Sequence, residues 1–282
     1  MKHYAGIAEE LCTYENAKVL LQSIPYDGTS TWGKGADGGF EAFLDASENM
    51  ELFDIETGTE VYHKGVHILQ ELTEDSSPEA MFNEVYAKTK ELLQSDKFLT
   101  FFGGEHSISI PIIKAYYEHF ENLTILQIDA HADLRPSFHG TPYNHACAVY
   151  DASKNTNLIQ VGIRSMDIDE DEHMDRSKVY FAEDMYGKTE WMNQSINQMT
   201  EDVYITIDLD AFDPSIMPAT GTPEPGGIDW NSMIRYLRKV FEQKNVVGFD
   251  IVELAPIEGM KAPQFLVAKL YYKMLTYKLL TR

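Results

Sequence analysis

Six side chains of metal-ligating type lie at the ends of three apolar runs: His106 in Gly103-Gly104-Glu105-His106-Ser107, Asp129, His131 and Asp133 in Asp-Ala-His-Ala-Asp, and Asp208 and Asp210 in Asp-Leu-Asp. Buried carboxylates and imidazoles are costly unless paired or ion-bound, so this set calls for a shared cationic partner and is large enough for two ions. Carboxylate and imidazole donors without thiolate suit Mn²⁺, with Zn²⁺, Co²⁺ or Ni²⁺ also compatible; Mg²⁺ and Ca²⁺ prefer oxygen alone. Six protein ligands for two ions require bridging carboxylates and leave positions open for water. A water held between two divalent ions loses a proton near neutral pH, which points to hydrolysis. Each motif alone is weak, since Asp-x-Asp is more often a solvated loop or a turn-capping pair and a lone histidine is usually an ordinary hydrogen-bonded residue. The three together give the pattern its weight.

Such ligands need a scaffold that gathers strand ends. Runs rich in Val, Ile, Leu and Phe recur at residues 19–24, 66–69, 98–102, 124–128, 158–163, 179–181, 203–207 and 246–252, and read as about eight strands. Most are continuous rather than alternating, as in a parallel sheet covered on both faces. Apolar spacing of three and four predicts helices over 78–94, 109–120, 230–242 and 262–278, the second with Ser109 as N-cap and Pro111 in its first turn. This alternation implies an α/β fold of three αβα layers with a mostly parallel sheet, in which ligands bind beyond the carboxyl ends of the strands. If the extended geometry of 124–128 persists, Asp129, His131 and Asp133 point the same way, and Asp208 and Asp210 repeat the arrangement after 203–207. Gly- and Pro-rich loops fall at 25–28, 33–39 and 214–227. The last is long and proline-stiffened, which suggests a function, and none has the spacing of a phosphate-binding loop.

The 282 residues are 44% hydrophobic and show no linker, repeat or low-complexity tract, so a single domain over 1–282 is expected. A net charge of −22 opposes nucleic acid and anionic membranes and favours a cationic substrate. Acidic residues such as Glu170, Asp171 and Glu172 are expected at the surface. No basic leader precedes a long apolar stretch, and no apolar run approaches the roughly 20 residues of a membrane span, so a soluble cytoplasmic protein is expected. Cys12 and Cys147 form no Cys-x-x-Cys pattern and are expected as free thiols.

These segments resemble the ureohydrolase (arginase/agmatinase) family, agmatinases most of all. The similarity runs through Pro25-Tyr26-Asp27-Gly28, Gly35-Ala36, 103–107, 129–133, His145, 207–213, 218–227 and Asp250-Ile251-Val252-Glu253. The resemblance implies an arginase-like fold and two Mn²⁺ per chain, one held by His106, Asp129, Asp133 and Asp208, the other by Asp129, His131, Asp208 and Asp210. It implies attack of a metal-bridging hydroxide on a guanidinium carbon, with Asp133 relaying a proton to the leaving nitrogen. Glu253 would bind the guanidinium through two charge-assisted hydrogen bonds. His145 would be the proton shuttle, and His139 a loop residue near the rim. The activity implied is that of a Mn²⁺-dependent agmatinase releasing putrescine and urea from agmatine, a step of polyamine biosynthesis, in a homo-oligomer, trimer or hexamer. A small cationic guanidino compound is the expected partner.

Two departures stand out. Glu105 occupies a place where Asp is commoner, and Arg135 replaces the asparagine with which arginases read an amino acid carboxylate, which tells against arginine. Guanidinobutyrate or another guanidino acid held by Arg135, and arginine itself, are alternatives within the family. A mononuclear zinc deacetylase would bind one ion and could dispense with His106 and Asp133. A non-catalytic family member would have little reason to keep four neighbouring carboxylates.

Overall fold

The apolar runs form a single sheet of eight strands. They are β1 Val19–Ile24, β2 Val66–Ile68, β3 Phe98–Gly103, β4 Thr124–Ile128, β5 Asn157–Ile163, β6 Val179–Phe181, β7 Asp202–Asp208 and β8 Asn245–Val252. The computed structural model describes residues 3–280. Every neighbouring pair is parallel, in the order β2-β1-β3-β8-β7-β4-β5-β6.

Both faces of the sheet are covered, which is why the central runs are apolar throughout. Along β7, Val203, Ile205 and Ile207 enter one core while Tyr204 enters the other. On the first face pack α1 Gly39–Ser47, α6 Glu190–Gln198, α7 Trp230–Gln243 and α8 Ala262–Leu280, contributing Phe43, Trp191, Tyr236 and Tyr271. On the second pack α2 Pro78–Leu92, α3 Ser109–His119 and α4 Tyr150–Asn155, with Val85, Ile112 and Tyr116. A short α5 Ala182–Met185 follows β6 at one edge. Each fully buried large apolar side chain contributes about 1.5–3 kcal/mol.

The eight strands and four long helices match the expected ones to within a residue or two. Four helices went unforeseen: α1 begins on a glycine, α4 and α5 are too short to show a period, and α6 is rich in Asn and Gln. Ser109 is not an N-cap. The chain enters α3 through a 3-10 turn, His106–Ile108, capped by the Glu105 carboxylate on Ser107 N–H at 3.1 Å, while the Ser109 hydroxyl donates to buried Asp250 at 3.0 Å. Glu170 is likewise not a surface residue. It is 4% exposed and accepts from Leu134 N–H at 2.8 Å and Asp167 N–H at 2.7 Å, because buried loop amides need an acceptor.

Consecutive β3 and β4 are separated in space by β8 and β7, the last two strands of the chain. The carboxyl ends of these four adjacent strands carry His106, Glu253, Asp208 and Asp129 into one crevice, where the strand order switches. Cys12 and Cys147 are free and buried, and no helix among the described residues is long and apolar enough to cross a membrane.

Candidate functional site

The strand ends do not continue extended. Asp129 Oδ1 accepts the N–H of His131 at 2.7 Å, and Asp208 Oδ1 accepts the N–H of Asp210 at 2.9 Å. Each first aspartate thus curls the chain so that residue i+2 returns beside it, the usual preference of Asp at turns. The residues after β7 form a 3-10 turn, Leu209–Ala211, so extended geometry is lost there, whereas after β4 His131 still bridges Ser165 in parallel before Asp133 breaks the path at φ +51°. The two oxygens of each first aspartate are used differently: Oδ1 holds the turn and Oδ2 faces His106 Nδ1 in the crevice. Just after β3 the path is set by Gly104, where a Cβ would stand 1.8 Å from the Tyr26 carbonyl oxygen.

All six predicted ligands come together. His106 Nδ1 lies 3.1 Å from Asp129 Oδ2, 3.2 Å from Asp133 Oδ2 and 3.3 Å from Asp208 Oδ2, yet none of these oxygens is aligned as a hydrogen-bond acceptor. His131 Nδ1 lies 2.9 Å from Asp210 Oδ2 and 3.7 Å from Asp129 Oδ1. Two compact donor groups result, His106–Asp129–Asp208 and Asp129–His131–Asp210, sharing Asp129.

A hydrogen-bonded chain orients the first imidazole. Thr206 Oγ1 donates to Asp250 Oδ1 at 2.7 Å, so at 2.9 Å from His106 Nε2 it acts as the acceptor of Nε2–H. The His106 Nδ1 faces three carboxylate oxygens. Burial opposes a charge on the ring, but Asp129, Asp133 and Asp208 override it and raise the imidazole well above its ordinary value, and a divalent ion would take the place of that proton.

The titration behaviour agrees. Burial, then the charge of Asp129, lifts the Asp133 carboxyl to about 7. Burial, then the charges of Asp210 and Asp129, raises Asp208 well above the usual carboxylate range. Burial opposes protonation of His131, but Asp210 and Asp129 override it and raise that imidazole to about 11. Protons collect where cations would otherwise sit, and divalent ions would displace them.

Glu253 follows β8 at φ +68°, and its Oε1 accepts the backbone N–H of His106 at 2.8 Å. Burial, then the neighbouring charge of Glu105, raises its carboxyl well above the ordinary range. Left-handed backbone at a non-glycine residue costs on the order of 1–3 kcal/mol, and such strain concentrates at working sites; Asp133 and Glu253 share it. His145 opens a 3-10 turn, His145–Cys147, in contact with Thr29, and burial, then the charges of His106 and His131, lowers its imidazole to about 4.

A cavity of about 280 Å³ is lined by His106, His131, Asp133, His145, Asp208, Asp210 and Glu253. Its remaining wall includes Arg135, Phe138, Met166, Asp167 and Thr222. Arg135 lies 3.3 Å from Asp167 and 3.8 Å from Glu170, with its guanidinium over the Phe138 ring. His139 is exposed, stacks on Phe138 and does not line the cavity.

Several positioning groups were not singled out from the sequence. Thr206 and Asp250 orient His106, and Gln127 donates to Asp129 Oδ2 at 2.7 Å while Gln160 donates to Gln127 at 2.7 Å. The available signal was a polar residue inside an otherwise apolar run. Arg164 donates to the carbonyls of Gly162, Asp210, Glu224 and Pro225, tying the 214–227 loop to the Asp210 turn.

This geometry has counterparts. The arginase family model matches residues 17–276. The N(1)-aminopropylagmatine ureohydrolase of Synechocystis sp. is 34% identical, covering 96% of this chain and 92% of that protein. The enzyme of the same name from Thermus thermophilus is 34% identical over 94% of this chain and 91% of its own length. The crystal structure of the agmatine ureohydrolase of Thermoplasma volcanium superposes with a TM-score of 0.88 at 29% identity, over 99% of this chain and 94% of that one. Strand ends that gather two histidines and four aspartates beside a buried glutamate, in a chain similar to these proteins over nearly its whole length, place it in the arginase family, as a hydrolase of C–N bonds in guanidino compounds.

Proposed function

We propose that the chain is a Mn²⁺-dependent ureohydrolase of agmatine-type guanidinoalkylamines, holding two ions through His106, Asp129, Asp133, Asp208, His131 and Asp210. The observation that carries this is His106 Nδ1 within 3.3 Å of one oxygen from each of three aspartates, beside the Glu253 carboxylate and within one cavity. A bound divalent pair supplies Lewis acidity that makes water a competent nucleophile near neutral pH.

The chain's own residues do the rest. Glu253, one oxygen held by the His106 amide, offers its other oxygen to the substrate guanidinium, whose positive charge relieves the cost of burying the carboxylate. Asp133 carries a proton to the departing nitrogen, and His145 exchanges protons at the cavity wall. Products are urea and the corresponding amine.

Agmatine, yielding putrescine, is the substrate read from the motifs. N(1)-aminopropylagmatine is a second reading, favoured by the names of the relatives at 34% identity. The engagement of Arg135 by Asp167 and Glu170 argues against a guanidino acid, because that guanidinium already has carboxylate partners. The test is urea release from agmatine, N(1)-aminopropylagmatine, guanidinobutyrate and arginine with Mn²⁺ supplied. Turnover of guanidinobutyrate or arginine in preference to both amines would overturn the substrate assignment. Glu253→Gln should lower kcat/KM by roughly 10- to 100-fold, the loss of one charge-assisted hydrogen bond or more.

A further inference from the structure

One half-buried hydroxyl beside the cavity has its whole hydrogen-bonding capacity filled. Thr29 Oγ1, on the loop after β1, lies 2.8 Å from Glu105 Oε1, 3.1 Å from His145 Nδ1 and 3.0 Å from the His145 backbone nitrogen. A hydroxyl has one proton and two lone pairs, so the directions of these bonds can be worked out. Glu105 Oε1 also accepts the Thr29 N–H at 3.1 Å and the Ser107 hydroxyl at 2.9 Å, and Oε2 accepts the Ser107 N–H at 3.1 Å. Backbone N–H groups can only donate, and one reaches each oxygen, Thr29 N–H on Oε1 and Ser107 N–H on Oε2, so both Glu105 oxygens act as acceptors and Oε1 offers Thr29 no hydrogen. The Thr29 proton therefore points to Glu105. The His145 backbone N–H fills one Thr29 lone pair, and the other faces Nδ1, which must carry hydrogen.

We infer that Thr29 is a positioning residue for His145: braced by Glu105, it fixes the neutral imidazole as the Nδ1–H tautomer and aims a bare Nε2 into the cavity. A ring held this way takes up a proton only at Nε2, on the substrate side, and keeps its Nδ1–H bond to Thr29 throughout. It returns the proton through the same atom, so no net charge passes to Glu105. The departure of Glu105 from the commoner aspartate gains a purpose, since one carboxylate serves both the turn before α3 and the threonine under the shuttle. The inference rests on the reading of His145 as the proton-exchanging group.

In the Mn²⁺-loaded enzyme, Thr29→Val removes the hydroxyl at nearly constant volume, and Thr29→Ser keeps it. The valine variant should lose about tenfold or more in kcat with KM changed less than about twofold, and serine should restore kcat to within about threefold of wild type. A valine variant with wild-type kcat, or a serine variant as impaired as valine, would overturn the proposal. A second readout needs no turnover: solid-state NMR of the ¹⁵N-histidine-labelled metal-free protein, with the His145 signals identified by their loss in His145→Asn. Wild type should show protonated Nδ1 and bare Nε2, and the opposite tautomer would sink the inference even if Thr29→Val fails to fold. If no guanidino compound is turned over, the functional reading fails while the tautomer result still decides this one.

Discussion

At His106 the side chain is placed by what lies behind it rather than by the ions it would hold. Thr206 accepts Nε2–H and donates its own hydrogen bond to Asp250, which also receives hydrogen bonds from Tyr204 at 2.7 Å and Ser109 at 3.0 Å. Burial raises the Asp250 carboxyl above its ordinary value, opposed by the His106 charge and by these donors. Thr206→Val keeps the shape and removes the acceptor, freeing the ring to flip or to protonate Nδ1. Mn²⁺ affinity, measured by metal titration, should fall roughly 10- to 100-fold with secondary structure intact, the usual effect of losing a partner behind a ligand. Unchanged affinity would mean that the carboxylates alone set the ring.

Between elements, the decisive contacts are made by loops. Gly33 and Gly221 meet backbone to backbone: a Cβ on Gly33 would stand 2.8 Å from the Gly221 carbonyl oxygen. Arg164 clamps the same 214–227 loop through carbonyls, so Arg164→Met should destabilise the protein by about 2–4 kcal/mol in urea denaturation, because several part-buried carbonyls lose a charged donor. Lysine should rescue it poorly, having no planar fork. Remote from the site, α8 is fastened to the 54–56 segment by Lys273, which pairs with Asp54 at 2.8 Å and with Glu56. Burial opposes it, but hydrogen bonds from Lys273, Tyr277 and Arg238 lower Glu56 from 4.5 to about 2. A depressed carboxylate contributes stability that is present above 4.5 and is lost as the pH falls toward 2. Lys273→Met should therefore be less stable than wild type at pH 7 by about 1 kcal/mol after solvent screening, with the gap narrowing below pH ~4.5, as urea titrations at the two pH values would show.

The strands were legible because burial on both faces writes itself as unbroken apolar runs, and the ligands because charged residues at the ends of such runs demand a partner. What the residues after each strand do was not legible. Whether Asp129 and Asp208 sit on extended chain or curl it depends on where each carboxylate oxygen finds an N–H, a choice made by tertiary contacts such as Asp210 Oδ1 on Ala130 N–H at 3.1 Å. Ser109 illustrates the same point, a plausible cap drawn away by a buried aspartate 141 residues later. Arg135 could not be assigned in advance because its partners, Asp167 and Glu170, lie beyond β5 in sequence.

Over the whole molecule, which carries a net charge of −22, four aspartates are gathered into one crevice, so ion binding and folding stability are linked. Mn²⁺ at 100 times its dissociation constant should stabilise by about 2.7 kcal/mol per site, raising Tm by roughly 5–10 °C in calorimetry, and a chelator should reverse the shift. Because ions displace protons from Asp133, at about 7, the gain should grow as pH rises from ~6 to ~8. A Tm indifferent to Mn²⁺ at every pH would contradict a resident metal. The strand order adds a consequence for biosynthesis. Residues 98–133 leave the ribosome with β3 and β4 destined to stand three strand spacings apart, about 14 Å, and only the later β7 and β8 fill that gap. His106 and Asp129 therefore meet last, so a nascent or truncated chain lacks the assembled pair of donor groups, and metal loading becomes a report that synthesis reached β8.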